Sequence, residues 1–215
     1  MPLEEMGAFF NARIAGYEAH MLREGNEAYV CAARLIPPTG DLKLLDLGCG
    51  TGLELDEIFK VNSTVRVTGI DLAGKMLEKL QQKHANRQNQ LNLVQADYFK
   101  YDFGKNTYDV ALSFDTLHHF SREQKIGLYK RIYAALKTAG FYIEADYMAE
   151  TQEFEDFKAA ENRRLRAAQG ITEGYYHYDT PFAVENQTAM LQAAGFKSIE
   201  NHGRYGIDVI LVTRK

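Results

Sequence analysis

Leu44-Leu45-Asp46-Leu47-Gly48-Cys49-Gly50-Thr51-Gly52 is the stretch on which the fold turns. An apolar run from Leu42 to Leu47 ends on three glycines at alternate positions. Such a run, bounded by glycine, suits a buried parallel strand, and the glycines let the backbone turn sharply and approach a ligand closely. Asp71 lies 19 residues past Gly52, at the end of a second apolar run, Val65–Ile70. A carboxylate there can accept hydrogen bonds from both hydroxyls of a ribose. The pair predicts an adenosine group above the carboxyl ends of the first two strands. The spacing is G-x-G-x-G rather than the dinucleotide G-x-G-x-x-G, and no Gly-Lys-Ser/Thr follows to make a P-loop. Asp46 beside the turn would repel a pyrophosphate but can hold a cationic amine.

Working outward, residues 4–36 read as helix, divided by Gly7, Gly16 and Gly25 into two or three shorter pieces, and Pro37-Pro38 closes them. Helices over 53–60 and 73–86 alternate with strands at 65–70, 91–95 and 108–114. A helix begins at Ser121 and runs to Lys137, followed by a fifth strand, Gly140–Tyr147. That alternation predicts an α/β fold with a mostly parallel sheet and helices on both faces. After residue 147 the pattern changes. Residues 149–169 are a charged helix with few apolar anchors, expected as a lid, and Gly174-Tyr-Tyr-His-Tyr-Asp179 is an aromatic loop. Thr180-Pro181 is expected to open a helix that Gly195-Phe196 closes, and two strands near 197–204 and 207–213 finish the chain. The expectation is a single domain over 1–215. It comprises an N-terminal helical cover (1–38), a cofactor-binding core (40–147), a lid-like insertion (148–180) and a C-terminal helix with strands (181–215).

Four motifs in the core resemble the class I S-adenosylmethionine-dependent methyltransferases: Asp46-Leu-Gly48-Cys-Gly50-Thr-Gly52, Gly69-Ile-Asp71-Leu72, Ala96-Asp97-Tyr98, and Tyr108–His119 at the fourth strand. The resemblance implies a seven-stranded sheet in the order 3-2-1-4-5-7-6 with the seventh strand antiparallel. It implies S-adenosyl-L-methionine as cofactor, leaving S-adenosyl-L-homocysteine as product. Asp46, Asp71 and Asp97 would then spread acceptors along its ammonium, ribose and adenine. Gly48, Cys49, Gly50 and Gly52 would form the turn beneath it, and Ala96 and Phe114, at strand ends, would also bind it. Leu72, Met76 and Tyr98 would wall the adenine, and Tyr17 and Met21 would close over it from the N-terminal helices.

Composition narrows the rest. Lys and Arg total 25 against 29 Asp and Glu, a net charge of −4, without the basic surplus that nucleic-acid binding requires. No run reaches a membrane-spanning length, and the acidic Met-Pro-Leu-Glu-Glu start lacks the apolar core of a signal peptide, so a cytoplasmic protein is expected. Two cysteines, Cys31 and Cys49, make neither a disulfide framework nor a thiolate cluster, and no metal is expected. The Asn/Asp-Pro-Pro-aromatic stretch of nucleic-acid amino methylation is absent after strand four, which reads Ser113-Phe114-Asp115-Thr116.

A small molecule nucleophilic at oxygen, nitrogen or carbon is the expected acceptor, reached by in-line transfer. Such a reaction chiefly demands alignment and dryness, and it needs a base only for a protonated nucleophile. The candidate catalytic residues are His119 and Asp146, at the carboxyl ends of strands four and five, and His177 in the aromatic loop. Each has a plainer reading: His118 and His119 as a backbone cap and a packing group, Asp146 as a solvated acid, His177 as lid packing. His84 reads as solvated. Two rival functions stand beside methyl transfer, a protein that binds the cofactor without reaction and a nicotinamide-dependent oxidoreductase.

Overall fold

The computed structural model describes residues 2–24 and 26–215; Gly25, one of the expected helix breaks, lies outside the described residues. The chain opens with three short helices, α1 (Met6–Arg13), α2 (Tyr17–Met21) and α3 (Glu27–Arg34). It then alternates β1 (Lys43–Leu47), α4 (Leu53–Val61), β2 (Arg66–Asp71), α5 (Gly74–Lys83), β3 (Leu91–Gln95), β4 (Tyr108–Phe114), α6 (Arg122–Ala135) and β5 (Leu136–Tyr147). The tail is α7 (Gln152–Ala168), α8 (Val184–Ala193), β6 (Ser198–Tyr205) and β7 (Asp208–Arg214).

The strands form one sheet in the order β3-β2-β1-β4-β5-β7-β6. β1 pairs in parallel with β2 and β4, whereas β7 runs antiparallel to β5, with Ala145 opposite Ile210. The order and the reversed β7 are those the methyltransferase resemblance implied. Alternation divides the apolar side chains between two faces. Leu45, Leu47, Ala111 and Tyr142 pack with Tyr129 and Ile132 of α6 and Leu191 of α8. Leu44, Leu112, Ile143 and Ala145 pack with Tyr29 and Ala32 of α3, Leu55 and Ile58 of α4, and Leu80 of α5. Both faces are therefore covered, which is why β1 carries leucine on each.

Three local expectations change. The fifth strand starts at Leu136 instead of Gly140, because Leu136 pairs with Tyr108 and pulls the chain out of helix directly after Ala135. Thr180-Pro181 does not open α8, which begins at Val184. Thr180 is held instead in an extended segment, its N–H and hydroxyl both donating to the His118 carbonyl. His84 is buried and not solvated: its Nε2 lies 3.0 Å from Asp56 at the end of α5. α7 does stand away from the core, with Glu155 its one buried residue.

The N-terminal segment is strapped to the aromatic loop. Met6 N–H donates to the Tyr175 carbonyl and His177 N–H to the Glu4 carbonyl, both at 2.9 Å, around a Glu5–Tyr176 bridge. This strap closes over the carboxyl ends of the strands. No helix among the described residues is long and apolar enough to cross a membrane.

Candidate functional site

The turn after β1 adopts the conformation its glycines allow. Gly48 has φ +69° and Gly50 φ +46°, a region that L side chains rarely occupy. A Cβ on Gly48 would stand 2.2 Å from Thr116 Oγ1, so the approach of turn to strand β4 requires its absence. Asp71 at the tip of β2 ties the turn down: Oδ2 accepts from Gly50 N–H at 2.9 Å and Oδ1 from Ala73 N–H at 2.7 Å. Each oxygen retains a lone pair for a ribose hydroxyl.

Over the turn lies a narrow crevice lined by Gly48, Gly50, Asp71, Leu72, Met76 and Tyr98, with Met6, Phe10 and Tyr17 from the N-terminal helices above. Among the described residues, both carboxylate oxygens of Asp46 are buried with no backbone or basic donor, only the Glu54 carboxyl lying beside them. The buried Asp97 Oδ2 has the Lys100 ammonium at 3.3 Å, with the Tyr175 hydroxyl also near Asp97. Buried acceptors this sparsely partnered can take a ligand donor. A cofactor with an ammonium at one end and an exocyclic amine at the other supplies both. The residues present therefore fit S-adenosylmethionine, which brings an activated methyl group.

Around this crevice the acids are crowded. Burial and the neighbouring Asp46 push Glu54, in the first turn of α4, well above the ordinary carboxyl range, and burial raises Asp46 as well. Tyr17 is raised by burial and by Asp115, Glu54 and Asp71, which places its ring amid the acids.

Several expected residues contribute differently. The Cys49 thiol is buried against Gly69, so it is the backbone that lies in the turn. Gly52 holds φ +72° at the start of α4, its Cα close to Leu80. Ala96 packs against the core. Phe114 faces away from the crevice, stacked on Tyr29 at 4.1 Å, and the next residue, Asp115, lines it instead. Met21 lies in the neighbouring chamber.

That chamber, about 850 Å³, opens beside the crevice and shares Phe10, Tyr17, Asp115 and His119 with it. His118, His177, Asp179 and Tyr147 complete its inner wall. His118 Nδ1 lies 2.5 Å from Asp146 Oδ1. Burial opposes charge on His118, yet Asp146 and then Asp179 raise its pKa to about 10. His119 is held well below the imidazole range by burial and by the His118 charge. His177 stacks on Phe9 with ring centroids 3.5 Å apart.

Of the three candidate catalytic residues, His119 and His177 thus reach the chamber. Asp146 is buried behind His118, its oxygens also taking the N–H groups of Leu117 and Tyr147. Sequence reading missed Asp115, Asp179 and Glu54. The signal for Asp179 was present, an acid closing Tyr175-Tyr-His-Tyr178, but nothing in the sequence shows that loop docking on β4.

Residues 44–140 match the methyltransferase domain family. Over that span, with this sheet order and this turn, the chain carries the cofactor-binding domain of the class I S-adenosylmethionine-dependent methyltransferases. It is 24% identical over 168 residues to the carboxy-S-adenosyl-L-methionine synthase of Campylobacter fetus, across 74% of this chain and 70% of that one. Its fold is similar to a Nostoc punctiforme protein assigned as an O-methyltransferase (TM-score 0.75, 22% identity), all of this chain covering 63% of that one. It is also similar to human N-acetylserotonin methyltransferase solved with S-adenosylmethionine (TM-score 0.62, 19% identity), over 88% of this chain and 51% of that one. The chain spans less than two thirds of either solved protein.

Proposed function

We propose that this protein methylates a small molecule held in the histidine- and tyrosine-lined chamber. The observation that carries the reading is the shared wall: Phe10, Tyr17, Asp115 and His119 face both the cofactor crevice and the chamber. An acceptor in the chamber therefore lies next to the cofactor, with only these four side chains between the two cavities. Transfer forms a bond from the acceptor's lone pair to the methyl carbon while the carbon–sulfur bond breaks, its electron pair passing to sulfur. The protein's part is to align the two and keep water out, which the strapped N-terminal cover does.

We assign acceptor contact to His119 and His177, and to Asp146 the positioning of His118. Residues 1–38 and 148–180, which supply Phe10, Tyr17, His177 and Asp179, choose the acceptor; residues 40–147 hold the cofactor. Asp115 and Asp179 give the chamber an acidic lining that opposes a polynucleotide backbone. The unpaired Cys31 and Cys49 suit a reducing cytoplasm.

Thermal shift with S-adenosylmethionine, S-adenosylhomocysteine and NAD should show stabilisation by the first two only. Radiolabelled methyl transfer into a metabolite extract should then yield a labelled small molecule. Stabilisation by NAD alone would overturn the cofactor assignment, and a repeated lack of labelled product would favour a protein that only binds the cofactor.

A further inference from the structure

The inner wall of the chamber carries two imidazoles and a carboxylate whose donor atoms converge. His119 Nδ1, which also lies 3.3 Å from the Tyr178 carbonyl that an ion would displace, is 3.4 Å from Asp179 Oδ1, and His118 Nε2 lies 3.6 Å from the same oxygen. All three atoms fall within 4.8 Å of one another. Two donors each about 2.1 Å from a common ion at a tetrahedral angle stand about 3.4 Å apart. Two of the three separations therefore already match a coordination sphere. We propose that His118, His119 and Asp179 bind one divalent transition-metal ion at the inner wall of the acceptor chamber.

The surroundings are those of a built site. The far nitrogen of His118 is held by Asp146, a buried carboxylate itself fixed by the N–H groups of Leu117 and Tyr147. A carboxylate behind a histidine aims its other nitrogen and strengthens it as a ligand. The Asp179 loop is pinned on its other flank, where Thr180 donates twice to the His118 carbonyl. Both ligand-bearing segments are thus locked to each other before any ion arrives. Asp115 and Asp146 stand with His118, and Asp179 with both imidazoles, so carboxylates border the site on two sides. Two imidazoles and one carboxylate, without thiolate, suit zinc or ferrous iron and leave coordination positions open. Those positions face the chamber, so the inference deepens the methyl-transfer reading: the acceptor is a compound with an oxygen donor that completes the sphere.

The test needs neither cofactor nor acceptor, so its failure is distinct from a failure of the methyl-transfer reading. The full chain, freed of metal by chelator dialysis, is titrated with Zn2+ by calorimetry and checked by elemental analysis. One ion per chain is expected. His118→Gln, His119→Gln and Asp179→Asn should abolish stoichiometric binding. Asp146→Asn should weaken it about tenfold to a hundredfold. Asp179→Glu should retain it, and His202→Gln, which removes an imidazole outside the chamber, should leave it unchanged. Co2+ should give visible bands of a nitrogen–oxygen site in the wild type that His118→Gln lacks, a readout that a merely structural role would not move. Failure of the folded wild-type chain to bind Zn2+, or binding unchanged in the three ligand variants, would overturn the proposal and leave a proton-bridged histidine–aspartate cluster.

Discussion

Asp71 receives two backbone N–H groups, which shape the turn, and its remaining lone pairs suit the ribose role proposed for it. Asp71→Ala is expected to weaken S-adenosylmethionine binding by about 1.5–3 kcal/mol, the loss typical of hydrogen bonds to a charged group. Calorimetry checks this, and an unchanged affinity would remove Asp71 from the ribose role. Glu54 makes a pH prediction. Its folded pKa is raised by burial and Asp46, whereas the unfolded chain ionises near ~4.3. Stability from this group is therefore complete below ~4.3 and declines as pH rises toward the folded value. Glu54→Gln removes that decline, so its melting temperature should exceed the wild type's by a margin that grows from pH 5 to pH 8. A margin independent of pH would show that Glu54 does not keep its proton in the fold. Asp46, Asp71 and Asp97 were legible as acceptors because strand ends place them. Glu54 was not, because a first-turn glutamate is ordinary helix chemistry until tertiary packing buries it against another acid.

Elements depend on a few local devices. Ser121 caps α6 in a reciprocal box, its hydroxyl accepting from Gln124 N–H while the Gln124 side chain accepts from Ser121 N–H. Ser121→Ala should cost about 1 kcal/mol in denaturant unfolding, with little change in cofactor affinity. Gly48→Ala is a different case. The backbone strain at φ +69° costs about 1–3 kcal/mol, and the clash with Thr116 adds to it. A large fall in the unfolding midpoint is expected; a stability equal to wild type would mean the turn relaxes freely. Strand identities were readable from apolar runs, but their ends were not. Leu136 leaves the helix because β4 offers it a partner, a contact 28 residues away that no local pattern announces.

At the scale of the whole molecule, the strap between residues 4–6 and 175–177 holds Met6 at the rim of the cofactor crevice. Cofactor binding should slow hydrogen exchange at the Met6 and His177 amides relative to the free protein, while amides of the edge strand β6 stay unchanged. Equal exchange with and without cofactor would show that the strap plays no part in retention. By itself the sequence determined the sheet order, through its family resemblance, and located the glycine turn and strand-end carboxylates proposed to hold the adenosine. Those features are local in the chain and need only backbone geometry to express. Tertiary structure alone decided the acceptor side. Tyr17, His118, His119, His177 and Asp179 come from three segments separated by as many as 162 residues, and each has a plain local reading. Their arrangement exists because the aromatic loop docks on the end of β4 and buries two imidazoles beside carboxylates.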